Sequence, residues 1–188
     1  MSDRIRPARW SAPVIALHGS AGALTLALVA LGAVMIYAPL DAGAKFDLYQ
    51  WHKSLGFLAL ALTAAHLVAR LAAVAPPKRS TSRSERCLAA ATQAALYVLG
   101  FVAMLAGWLL VSTSPLPIPT HFFGGIVIPN IAAPDAETFE RARLAHKWAA
   151  WSIAALAALH IAGALKHHIL DRDDVLTRML PRGPRKRG

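Results

Sequence analysis

Four stretches of the chain stay apolar over a length that an ordinary core helix does not need: about 13–37, 51–74, 87–112 and 144–166. A hydrocarbon core about 30 Å thick is crossed by about 20 mostly apolar residues in a helix, and each stretch is that long. The pattern predicts an all-α membrane protein, a four-transmembrane-helix bundle, and an even number of crossings leaves both termini on one side. The linker PPKRSTSRSER between the second and third stretches is polar and opens on proline, as a short loop does.

The connection over 113–143 has a different character. Its segment LPIPTHFFGGIVIPNIAAP is too broken by proline for a fifth span and too apolar to float in water, which places it on the outer interface over the mouth of the bundle. The first apolar run exceeds the roughly 7–15 residues of a cleavable signal and is followed by no convincing small-residue cleavage site, so it is expected to remain in the mature protein.

Composition supports this setting: 56% of the 188 residues are hydrophobic and only 16% are charged, with a mean hydropathy of +0.44. Charge then orients the bundle. Arg4, Arg6 and Arg9 precede the first span, Lys78, Arg79, Arg83 and Arg86 lie between the second and third, and Arg172, Arg178, Arg182, Arg185, Lys186 and Arg187 follow the fourth. Basic residues mark cytoplasmic loops, so both termini are expected in the cytoplasm, with a disordered basic tail over 181–188. The opposite connections carry Asp41, Asp47, Asp135, Glu137 and Glu140. The net charge of +10 therefore reflects topology and contact with anionic membrane lipid, and no nucleic-acid partner is expected.

Within this greasy frame the histidines stand out. His18, His52, His66, His146 and His160 lie inside or at the edges of spans, where an ionisable group is costly and points to function. His146 and His160 are fourteen residues apart, which on a helix means a rise of about 21 Å with the two side chains within roughly 40° of each other. Alternating helix directions put His52 level with His146 on the outer side, and His18 level with His160 on the inner side. Two facing imidazoles at each of two depths suit two non-covalent b-type haems, each iron taking one nitrogen from each face. The single cysteine, Cys87, excludes covalent haem attachment through CxxCH and a thiolate-bound iron–sulfur cluster.

Gly22 and Gly56 follow His18 and His52 by four residues and leave room for a flat macrocycle, although small residues also serve helix packing in membranes. His66 offers a rival pairing with His160, leaving His18 free. His18 is preferred because His66 shares a helix face with Arg70, four residues on. There the two can contact a haem propionate or a quinone carbonyl, while Arg70 can equally snorkel to headgroups. Lys53, Arg141, Arg143 and Lys147 are the corresponding cations beside the outer pair. His121, His167 and His168 fall outside the spans and are read as surface or interfacial residues.

These features resemble a known family. A histidine opening the first span (IALHGS), another opening the second (YQWHKSLG, with AHLVAR beyond), H-x13-H on the fourth and the ending KHHILDRDDVLTRMLPR are similar to the bacterial cytochromes b561. These are four-helix di-haem membrane proteins related to the b subunits of hydrogenases and formate dehydrogenases. The resemblance implies haem ligation by His18, His52, His146 and His160, a place in the bacterial inner membrane, and electron exchange with ubiquinone. Some members are superoxide oxidases, which pass electrons from superoxide outside to ubiquinone. A histidine at position 66 departs from the family pattern, where arginine or an apolar residue is expected.

Two functions follow as expectations. One is a di-haem electron-transfer protein working with the quinone pool, with superoxide as a candidate periplasmic donor. The other is a non-catalytic cytochrome b subunit that serves a soluble cytochrome or dehydrogenase. A transporter or metal-handling role fits poorly, because no broken-helix pair and no acidic residue within the spans is evident. No phosphate loop, GxGxxG or solenoid repeat is present.

Overall fold

The computed structural model describes residues 9–76, 82–116 and 118–181. Arg4, Arg6, Lys78, Arg79, Arg182, Arg185, Lys186 and Arg187, used above for orientation, lie outside the described residues, as does the tail beyond 181. Helices α1 (Ala12–Tyr37), α2 (Ala42–Ala72), α3 (Arg83–Ser112) and α4 (Ala136–Ile169) are each long and apolar enough to cross a membrane. A two-stranded hairpin, β1 (Thr120–Phe122) and β2 (Ile126–Ile128), separates α3 from α4, and a 3-10 turn spans Thr177–Met179.

The helices are longer than the apolar stretches that mark them. Polar caps set where they start: Asp41 accepts the Ala44 amide at 2.9 Å, and Asp135 accepts that of Thr138 at 2.7 Å. Ser82 and Glu85 form a reciprocal capping box. Thus α2 and α4 each begin about two turns before their apolar stretch, extending out of the hydrocarbon region as far as the cap. Hydrogen bonds from Thr138 hold the Asp135 carboxyl below its ordinary value.

Helix α1 packs mainly on α2 and α4 on α3, and α2 meets α3 between them. Without water to drive helices together, contact in a membrane depends on close approach of small side chains and on interhelical hydrogen bonds. The buried positions follow that rule: Ala21, Ala59, Gly100, Ala103, Ala142 and Ala149, with Ser54, Thr63 and Thr92. On α1 the buried residues Val14, Ala21, Leu28 and Met35 recur every seventh position, a single straight seam. Large apolar side chains such as Val68 and Leu71 point outward, as lipid-facing residues must.

The hairpin is an unpredicted element, with register Thr120↔Ile128, His121↔Val127 and Phe122↔Ile126. Its turn places Phe123 at φ 48° and Gly124 at φ 75°, and the second of these suits glycine. Ser54, 2% exposed, clasps the turn to α2 by donating to the His121 carbonyl and accepting from the Phe123 amide, both at 3.0 Å. The indole of Trp108 donates to the Pro129 carbonyl at 3.0 Å, and Ser112 accepts from the Ile131 amide at 3.1 Å. The long connection is therefore strapped across the bundle mouth at one end.

At the other end the two termini meet. The Trp10 amide donates to the Arg178 carbonyl at 3.4 Å, and the Arg9 guanidinium donates to the carbonyls of Thr177 and Leu180. The bundle thus has a hairpin end and a termini end.

Candidate functional site

Four of the five histidines singled out by sequence fall into two facing pairs. At the hairpin end His52 of α2 faces His146 of α4, ring centroids 6.0 Å apart and planes at 80°. Toward the termini end His18 of α1 faces His160 of α4 at 6.1 Å and 68°. Two imidazoles bonded at about 2 Å to opposite sides of one metal hold their centroids about 6 Å apart, so both spacings suit a shared metal.

His66 joins the group toward the termini end without forming such a pair. Its centroid is 5.3 Å from that of His18, closer than the bridged spacing. Its Nδ1 lies 2.9 Å from the Tyr97 hydroxyl of α3, while its Nε2 is buried without a partner. Arg70, one turn on, is held by two contacts. It donates to the Gln93 side-chain carbonyl at 2.6 Å and lies 5.0 Å over the Trp10 ring. Arg70, Gln93 and Tyr97 form the polar part of a groove of about 410 Å³ between α2 and α3, with Leu67, Ala90, Ala94 and Val98 as its apolar walls.

The pairs also have room around them. A methyl group added at Gly22 or Gly56 would meet nothing within 4 Å, which leaves space beside His18 and His52 for a planar group. The His52 Nδ1 is buried without a hydrogen bond, whereas the His146 Nδ1 lies 2.7 Å from the Ala103 carbonyl. A carbonyl only accepts, so the His146 Nδ1 is the donor, which in the neutral ring leaves Nε2 bare, the form in which imidazole binds metals. A donor set of neutral imidazoles without thiolate suits haem iron.

The model of the prokaryotic cytochrome b561 family matches residues 9–182. The chain belongs to that family. Cytochrome b561 homolog 2 of Escherichia coli (strain K12) is 32% identical to it over 181 residues, covering 96% of this chain and 95% of that protein. This cytochrome b561 is accordingly a multi-pass electron-transfer protein of the bacterial inner membrane, and haem b is the cofactor its family implies.

The cations toward the hairpin end of the b561 bundle are largely engaged. Arg141 pairs with Glu137 at 2.5 Å and Arg143 with Glu140 at 2.5 Å. Lys53 donates to the Pro119 carbonyl at 3.3 Å, and Lys147 lies 5.9 Å over Trp148. Among the remaining histidines, His121 sits in β1 half-buried, and His168 is exposed. His167 contacts Asp171 at 3.1 Å and Asp173 at 3.0 Å.

Several residues around the site were not among those read from sequence: Tyr97, Gln93, Gly107, Ser54 and the Ala103 carbonyl. Tyr97 is the one tyrosine in α3, a signal available in the sequence. A backbone carbonyl has no such signal.

Proposed function

We propose that this cytochrome b561 holds two haem b groups, His52 and His146 ligating one and His18 and His160 the other, and exchanges electrons between a donor at the hairpin end and ubiquinone at the termini end. The observation that carries the reading is the pair of matched spacings, 6.0 and 6.1 Å, at two depths. The 5.3 Å contact of His66 with His18 supports His66 as a neighbour of the inner pair and not as its second ligand. The basic residues favour the termini end as cytoplasmic, which sets the hairpin on the periplasmic side.

Bound haem would supply one-electron redox chemistry, and two imidazoles held by the chain for each iron would disfavour oxygen binding there. The chain's own part is to place and shield that chemistry. The imidazoles fix two depths, the strapped hairpin limits water at the mouth, and Arg70 and Tyr97 offer hydrogen bonds to a quinone carbonyl within an apolar-walled groove. His66 stands behind Tyr97 and orients its hydroxyl.

For the donor, the Arg141–Glu137 and Arg143–Glu140 pairs favour a docked soluble redox protein over superoxide. They leave alternating charges suited to a protein surface in place of a cationic funnel for a small anion. Purified protein given superoxide as sole reductant and a ubiquinone analogue tests this. Turnover identifies a superoxide oxidase; full haem content without turnover identifies a subunit serving a protein partner. An absorption spectrum with haem quantification tests the larger reading, for which two b haems per chain are expected and none from well-folded protein overturns it.

A further inference from the structure

Helix α3 carries no histidine, yet it makes the closest contact to one of the proposed ligands. The His146 ring lies against α3 with Nδ1 2.7 Å from the Ala103 carbonyl, one turn before Gly107. A Cβ built at Gly107 would stand 3.1 Å from that Nδ1 and 3.2 Å from Cε1, tight enough that the ring would have to give by a few tenths of an ångström. The backbone behind this contact is firm, since Ala103 is 7% exposed and packs with Ala149 and Ile153. The other pair lacks such support. Among the described residues, no ring nitrogen of His18 or His160 makes a hydrogen bond.

Resting on the ligand assignment above, we infer that α3 positions and tunes the axial imidazole at the hairpin end: Gly107 admits the His146 ring and the Ala103 carbonyl fixes it through Nδ1. A hydrogen bond donated from Nδ1 locks the tautomer and makes Nε2 more basic. A more basic ligand stabilises the oxidised iron more than the reduced iron, which lowers the reduction potential. His52 opposite has no partner at Nδ1, so the tuning acts from one side. Gly107 is thus a positioning residue, and the hydrogen bond it permits lowers the potential of the haem at the hairpin end.

The test is a redox titration with low-temperature electron paramagnetic resonance on haem-loaded Gly107→Ala. One midpoint is expected to shift upward and one low-spin signal to change, with about two haems retained per chain. Gly100→Ala on the same helix meets only Thr63 Cγ2 at 4.0 Å and is expected to leave both haems unaltered. Two unchanged midpoints and signals in Gly107→Ala overturn the inference. If that variant does not assemble, His146→Gly supplied with imidazole or with 1-methylimidazole asks the same question, because only imidazole can donate to Ala103. A higher potential with 1-methylimidazole supports the inference, and equal potentials overturn it. His146→Ala that keeps both haems refutes the ligand assignment itself, a failure distinct from either of these.

Discussion

At the hairpin end, two histidines face each other, one held by the α3 backbone, beneath a strapped loop. At the termini end, the same spacing recurs between His18 and His160, but His66, Tyr97, Arg70, Gln93 and Trp10 crowd beside it. The first arrangement is spare and covered. The second is rich in hydrogen-bond donors and borders a groove open on one side of the bundle. Equal spacing with unequal surroundings is what the proposed two-ended electron path needs: the four histidines would make two similar centres, and their neighbours would give each a different exchange partner.

The strongest way to break this comparison is to remove ligands one at a time. His52→Ala and His146→Ala are expected to lose the haem at the hairpin end, and His18→Ala and His160→Ala the other, each reducing haem content from two to one per chain by pyridine haemochrome assay. His66→Ala is expected to keep both. If His66→Ala loses a haem while His18→Ala does not, the inner pairing must be redrawn.

Smaller effects should separate the groove from the ligands. Arg70→Ala is expected to raise the KM for a ubiquinone analogue about tenfold, the scale of one lost charged hydrogen bond, with haem content unchanged. Tyr97→Phe should have a weaker effect in the same direction. An unchanged KM in both would remove the quinone from this groove.

At the hairpin end, Ser54→Ala leaves the His121 carbonyl and Phe123 amide without their partner. It is expected to lower stability by about 1–3 kcal/mol, read as a lower Tm with two haems still bound. The smallest effect is expected at the exposed ion pairs. Arg141→Ala should leave Tm unchanged within error while weakening the salt dependence of reduction by an external protein donor. Asp135 adds a pH limit. Its carboxyl is held below its ordinary value of 3.8, so the cap contributes stability above that pH and loses it as pH falls through the lowered value. Hydrogen exchange in the first turn of α4 should therefore rise only in strong acid.

Much of this was legible in the residues. Twenty-residue apolar runs dictate spans, and the helical repeat fixes His146 and His160 on one face, so the four-helix bundle and the facing pairs follow from periodicity. The pairing of His18 with His160 rested on direction and depth, which helix alternation supplies. The supports were harder to read. The hairpin's strands are three residues each and flanked by prolines, too short for an alternating pattern to register. The contact of His146 with Ala103 is made to a backbone atom, whose position depends on how α3 and α4 pack and on no side-chain identity except the absence of one at Gly107.

The clasp between Arg9, Trp10 and residues 177–180 bears on how the molecule is made. Residues just before α1 are fastened to a segment that follows α4. Before residues 177–180 are in place, α1 can pair with α2 but lacks this tie to the segment that follows α4. The clasp therefore forms only once the segment after α4 has been made, so ordering of the termini end follows that of the α1–α2 pair.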